Sequence, residues 1–171
     1  LTHHFVLDGS IYLPLANLSH GQKLLLSNIT GPVVEKFTLP SVLANGLGRA
    51  VYSPPLNRTE IHALETVLAF ERGTFKEHST IQYLQDRKLH EDEWLDVLHR
   101  STVNCSLIWG TEDPVAVIAI ADYVWDNYLK DRPNAFATYP KIVGANHYLQ
   151  VDHAKQIAEI VLSVLLDSSS S

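Results

Sequence analysis

The chain has 171 residues, 46% hydrophobic and 19% charged, which excludes an intrinsically disordered protein and suits one packed domain. Its net charge is −6 and its basic residues never cluster beyond pairs such as Arg87-Lys88, which excludes a nucleic-acid footprint. No apolar run reaches the ~18 residues of a membrane span, and a single cysteine, Cys105, excludes both an intrachain disulfide and a thiolate zinc site.

In chain order, "HHFVL" at residues 3–7 reads as a short strand ending in an Asp8-Gly9 turn. The following "IYLPLANLSHG" reads as a loop broken by Pro14 and Gly21. From Gln22 to about Arg100 the pattern is helical. "RTEIHALETVLAF" puts Ile61, Leu64, Val67 and Leu68 on one face, with Thr59 as the expected cap. "STIQYLQ" offers a Ser79/Gln82 capping box. "HEDEWLDVLHR" is expected to open a helix on its acids and close it on Arg100, in keeping with the helix dipole, with Trp94 and Leu98 as its apolar stripe.

The texture then changes. "VNCSLIWG" is a strand, "PVAVIAIADYVWDNYLK" a helix that Pro114 can begin, and "NAFATYPKIV" a second strand. "AKQIAEIVLSVLL" is a helix with Ile157, Ile160, Val161 and Val164 on one face. Strand, helix, strand and helix at this spacing predict an α/β fold with a parallel sheet and crossover helices. Residues 168–171 are expected to be a disordered tail. Cys105 and Trp109 lie in an apolar strand and read as core, the thiol inert.

Functional groups of an open parallel sheet gather beyond the carboxyl ends of its strands. Two polar signals stand there. "IWGTEDP" presents Glu112 and Asp113, and "IVGANHY" presents Asn146 and His147. A carboxylate after one strand and a histidine after its neighbour make an acid–histidine pair. The carboxylate takes the Nδ1 proton, fixes the tautomer and stabilises the imidazolium. Asp113 stands directly before the proline, and Glu112 is its alternative as the acid. The nine histidines offer no His-Glu-x-x-His, and in "HEDEW" tryptophan replaces the second ligand. No metal or cofactor is implied.

"SLIWGTEDP" followed by "GANHYLQVDHA" resembles the C-terminal segment of α/β-hydrolases, in the haloalkane dehalogenase and epoxide hydrolase-like group. "LDGSIYLPLANLSHGQKLLL" is similar to the segment leading into the cap in members of that group like mesoderm-specific transcript protein. The resemblance covers nearly the whole chain. It implies residues 1–19 as core strand and cap entry, 20–100 as a helical cap, and 101–167 as the C-terminal part of the core. It implies Asp113 as triad acid, His147 as base and Asp152 as N-cap of the last helix. It also implies hydrolysis of an ester, epoxide or carbon–halogen bond in a small apolar-to-amphipathic substrate. Asn146 stands where the family often has glycine, a position where asparagine tolerates a left-handed backbone. Tyr52 and Tyr83 read first as ordinary packing; the resemblance adds the alternative that they polarise an epoxide oxygen, as cap tyrosines do in epoxide hydrolases.

The family's nucleophile, a Ser or Asp on a strand–turn–helix elbow, precedes the cap. No Gly-x-Ser-x-Gly occurs. In "NLSHG", Ser19 has the right order relative to Asp113 and His147, but Asn17 replaces the first glycine and Pro14 interrupts the approach. The chain starts at Leu1 and contains no methionine. The expectation is therefore a C-terminal portion whose N-terminal half, with the nucleophile, is missing, so that this chain alone is inactive. A non-catalytic hydrolase-like binding module is the rival. No signal peptide is visible, which favours a cytoplasmic setting; sequons at Asn17, Asn28, Asn57 and Asn104 point the other way, although Asn104 belongs to a buried strand.

Overall fold

His3–Leu7 (β1) and Asn104–Gly110 (β2) run parallel, with His3 opposite Asn104 and Leu7 opposite Ile108. The computed structural model describes residues 3–167, and the tail expected at 168–171 lies outside them. On the other edge of β2, Ala137–Thr138 (β3) pairs with Cys105–Ser106 and Lys141–Ile142 (β4) with Trp109–Gly110, both parallel. The single strand expected over "NAFATYPKIV" is thus two short pieces. Pro140 lies between them and has no N–H for the ladder, though its carbonyl still accepts from Trp109 N at 3.1 Å.

The side chains of β2 alternate between two cores. Cys105, Leu107 and Trp109 pack with Leu95, Ala116, Ile120, Ala121, Val124 and Leu129. Ile108 packs on the opposite side with Ile142, Ala145, Leu149 and Ile157. A parallel strand covered on both faces reads as the continuous apolar run seen in its sequence. Ser106 on the second side is satisfied by His3 Nε2 at 2.9 Å and Thr138 Oγ1 at 2.6 Å. The fold class is α/β, as the strand–helix alternation predicts.

Residues 20–100 contain no strand. Their helices are His20–Leu26 (α1), Gly31–Phe37 (α2), Pro40–Ala50 (α3), Arg58–Ala69 (α4), Glu77–Ile81 (α5) and Tyr83–Arg100 (α6), with a 3-10 segment at Phe70–Lys76. Helical character follows the sequence here, but the caps do not. Asn57, not Thr59, caps α4, because its Oδ1 reaches both Thr59 N and Glu60 N while Glu60 bonds back to Asn57 N. Ser79 lies inside α5, where its hydroxyl donates to Lys76 O, so Ser79/Gln82 is no capping box. The second reciprocal box is Ser19/Gln22, opening α1.

The long helix α6 starts eight residues or so before its acidic run, because nothing from Tyr83 onward breaks a helix. The acids at 91–93 are therefore mid-helix. Leu84 and Leu95, eleven positions and about three turns apart, share the buried face, while Trp94 is turned about 100° away and is 48% exposed. Val67 of α4 is likewise exposed. Arg87 donates to Ser10 O, and Glu91 Oε2 accepts from Leu13 N at 2.6 Å, which ties α6 to the segment after β1.

After β2, Ile118–Val124 (α7) passes into a π turn at Trp125–Leu129. Pro114 does not begin α7; residues 114–117 form a turn. Leu149–Asp152 (α8) and Ala154–Asp167 (α9) end the described chain, with Ile157, Ile160 and Val161 packed on the second core.

Candidate active site

Because β1, β2 and β4 are parallel, their carboxyl ends open on one edge of the sheet. The loop after β2 carries Asp113, which is 4% exposed. Its Oδ1 accepts from Val115 N at 2.7 Å and Ala116 N at 2.9 Å, closing the turn that delays α7. Its Oδ2 accepts from His147 Nδ1 at 2.7 Å. With Nδ1–H committed to the carboxylate, Nε2 carries the free lone pair. Glu112 is exposed and makes no such contact.

The loop after β4 reaches this position through two glycines. Gly144 adopts φ +79°, a conformation that suits glycine, and its N–H donates to Thr111 Oγ1 at 3.0 Å. Gly110 allows the two loops to touch, since a Cβ there would lie 2.5 Å from Ala145 O. The left-handed residue is thus Gly144 and not Asn146. Asn146 instead braces the histidine. Its Oδ1 accepts from His147 N at 2.7 Å and its Nδ2 donates to Ala50 O at 3.2 Å.

The same loop is fastened to residues 50–53. Tyr148 N donates to Val51 O at 3.2 Å, Tyr52 stacks on Tyr148 with centroids 4.8 Å apart, and Asp152 Oδ2 accepts from Ser53 N at 2.7 Å. Asp152 is therefore an anchor at the end of α8. It does not cap the last helix, which begins two residues later. Tyr83 is half exposed beneath the Arg87 guanidinium at 5.4 Å, and its proximity helps burial push the Tyr148 hydroxyl up. Cys105 and Trp109 are core, burial pushing the thiol up and Trp109 Nε1 donating to Ala116 O at 2.7 Å.

Burial by itself would lower the basicity of His147. The bond to Asp113, the charge of Asp113 and the charge of Asp8 together outweigh it, so the imidazole holds its proton above the usual histidine value. Asp8 is the residue that sequence reasoning missed, having treated it as a turn residue. It follows β1 directly, has φ +37°, is 4% exposed, and accepts from Gly110 N at 2.8 Å through Oδ1. Burial pushes its carboxyl up to about 7; the Gly110 N–H and His147 oppose this, and the charge of Asp113 adds to it. The signal was present, because an acid at the end of a parallel strand obeys the same rule that singles out Asp113.

Ser19 uses its side chain in its own helix, Oγ accepting from Gln22 N at 3.2 Å. The segment before it touches the Asp113 turn through Asn17 Nδ2, which donates to Pro114 O at 3.1 Å. Among the described residues no group of three or more metal-ligating side chains converges.

No family model matches the chain. Proteins named "Putative hydrolase LipZ" from Mycobacterium tuberculosis, strains CDC 1551 / Oshkosh and ATCC 25618 / H37Rv, are each 32% identical to it over 163 residues, 94% of this chain and 54% of theirs. The chain spans about half the length of these curated relatives. The crystal structure of an esterase, RhEst1 from Rhodococcus sp. ECU1013, is similar over 91% of this chain and 47% of the esterase, at 16% identity and a TM-score of 0.46. Over nearly its whole length, then, this chain is similar to about half of a protein named as a hydrolase.

Proposed function

We propose that the chain is the C-terminal portion of an α/β-hydrolase, with Asp113 as triad acid and His147 as base. The observation that carries this reading is the 2.7 Å bond from His147 Nδ1 to a buried carboxylate at neighbouring strand ends. The 32% identity to hydrolase-named relatives supports it. A Ser nucleophile attacks an ester carbonyl as His147 Nε2 takes its proton and passes it to the departing alkoxide, whereas an Asp carboxylate attacks directly, displacing halide or opening the epoxide. In either case His147 Nε2 then takes a proton from the water that releases the product. The bond cleaved is an ester, epoxide or carbon–halogen bond, with the dehalogenase and epoxide hydrolase-like group as the family branch. The substrate is small and apolar to amphipathic, and no cofactor takes part.

In this reading the nucleophile, Ser or Asp, belongs to the half of the enzyme that this chain does not span, and the chain by itself does not turn over substrate. The relatives' greater length and the use of Ser19 as a helix cap support that assignment. Residues 20–100 form the cap above the site. Their lack of strands and their fastening to the His147 loop at residues 50–53 favour it. The test assays the complete enzyme with nitrophenyl esters, an epoxide and a haloalkane. His147→Ala should lower kcat by roughly four orders of magnitude or more. With an Asp nucleophile His147→Gln should accumulate a covalent adduct, seen as added mass on the intact protein, whereas with Ser the first step also needs the base and no adduct should build up. Unchanged turnover by His147→Ala on the best substrate refutes the reading.

A further inference from the structure

Asp8 has no role in a nucleophile–acid–histidine triad, yet the fold maintains it at some cost. A non-glycine residue at φ +37° is strained, and a carboxyl group 4% exposed has lost its water. One oxygen is accounted for by Gly110 N–H, at the carboxyl end of the strand that leads to Asp113. The other, Oδ2, is buried with no hydrogen-bond partner among the described residues. An ionised carboxylate with one bare, buried oxygen is unfavourable, so Asp8 favours its neutral form, in which Oδ2 carries the proton.

The titratable groups facing it come from the neighbouring strands. They are Asp113 after β2, His147 after β4, and Tyr139 between β3 and β4, whose hydroxyl donates to Asp122 Oδ1 at 2.9 Å. The nearby anion Asp113 favours the neutral form of Asp8; an imidazolium at His147 favours the ionised form. The acid and the imidazole are therefore coupled, each biasing the proton on the other.

We propose that Asp8 is a positioning residue of the His147 base, which by gaining or losing its proton sets the charge state that the imidazole holds. The inference rests on His147 being the base. While Asp8 is neutral, His147 faces one carboxylate and loses its proton readily, exposing the Nε2 lone pair. When Asp8 ionises, two anions hold the imidazolium, which cannot accept a proton. The sign follows: ionised Asp8 raises His147, so the acid limb of the activity profile lies at higher pH than Asp113 alone would put it.

Asp8→Asn keeps an oxygen for Gly110 N–H and removes the titration. In the complete protein, the His147 ring signals followed by NMR should titrate about one unit lower in Asp8→Asn than in wild type. The acid limb of kcat/KM should move down with them. A folded Asp8→Asn with both midpoints unchanged overturns the proposal. Should Asp8→Asn fail to fold, wild type decides. There the Asp8 carboxyl carbon should titrate near neutrality, with a matching second inflection in the His147 curve. A carboxyl that titrates only in the ordinary aspartate range, with a single-site His147 curve, overturns it. The NMR coupling does not depend on turnover. An active His147→Ala therefore refutes the triad, while an uncoupled titration refutes Asp8.

Discussion

Gly110 is where the structure gives the sharpest mutational expectation. Its φ is not positive, so alanine suits its backbone and the obstacle is purely steric. A Cβ would lie 2.5 Å from Ala145 O, 2.9 Å from Ala145 C and 3.0 Å from Asn146 O. Ordinary contact begins near 3.4 Å, so the loop must retreat by about 0.9 Å, and these are backbone atoms that cannot swing aside. Overpacking of this kind costs about 1–3 kcal/mol, against a gain of at most about 1 kcal/mol from a stiffer unfolded chain. The retreating segment is the one that carries His147, and under the proposed role of His147 as base its misplacement by about 1 Å costs roughly 100-fold in rate. Gly110→Ala should therefore lower the melting temperature of the complete protein by several degrees, roughly 2–4 °C per kcal/mol. It should lower kcat by about two orders of magnitude, with KM changing far less. Wild-type melting together with wild-type kcat would show that the two loops do not meet as described.

Ser19→Ala should cost about 1 kcal/mol through loss of the α1 cap and leave kcat within a few-fold of wild type; denaturant unfolding and steady-state kinetics measure both, and abolished turnover would make Ser19 a nucleophile after all. Asp152→Ala should leave Ser53 N–H without its charged acceptor and cost about 1.5–3 kcal/mol. Faster amide exchange at residues 51–53 would accompany it, and unchanged exchange would remove Asp152 as an anchor.

Regular features were legible in the sequence where a local pattern determined them. The run "NCSLIWG", short, apolar and bounded by Gly110, read as a strand, and the i, i+3, i+4, i+7 stripe of "AKQIAEIVLSVLL" read as one side of a helix. The positions of Asp113 and His147 followed from strand direction alone, which is why they could be paired across 34 residues. The Thr59 cap was misjudged because Asn57 starts the helix two residues earlier, accepting from Thr59 N and Glu60 N, so that Thr59 already lies inside its first turn. The N-cap reading of Asp152 failed for a tertiary reason, since Ser53 lies 99 residues away in the chain. Asp8 was passed over because "DG" is so common a turn signal. Burial against Gly110, not spacing, distinguishes it from an ordinary turn aspartate. The break at Pro140 was legible as well, since proline cannot donate to a central ladder.

The fastening of the histidine loop to residues 50–53 limits how chains of this kind can be recombined. Segments rich in helices between core elements invite exchange among relatives to alter substrate choice. Here the junction is not confined to the ends of the exchanged piece. Asn146, Tyr148 and Asp152 bond to the backbone at 50–53 or stack on Tyr52, in the middle of the helical stretch. A chimera that imports foreign residues 20–100 onto this core would present unmatched partners to the loop bearing His147, even with both splice points joined without strain. The transferable unit is therefore discontinuous: the helices together with residues 144–152, inherited as one block.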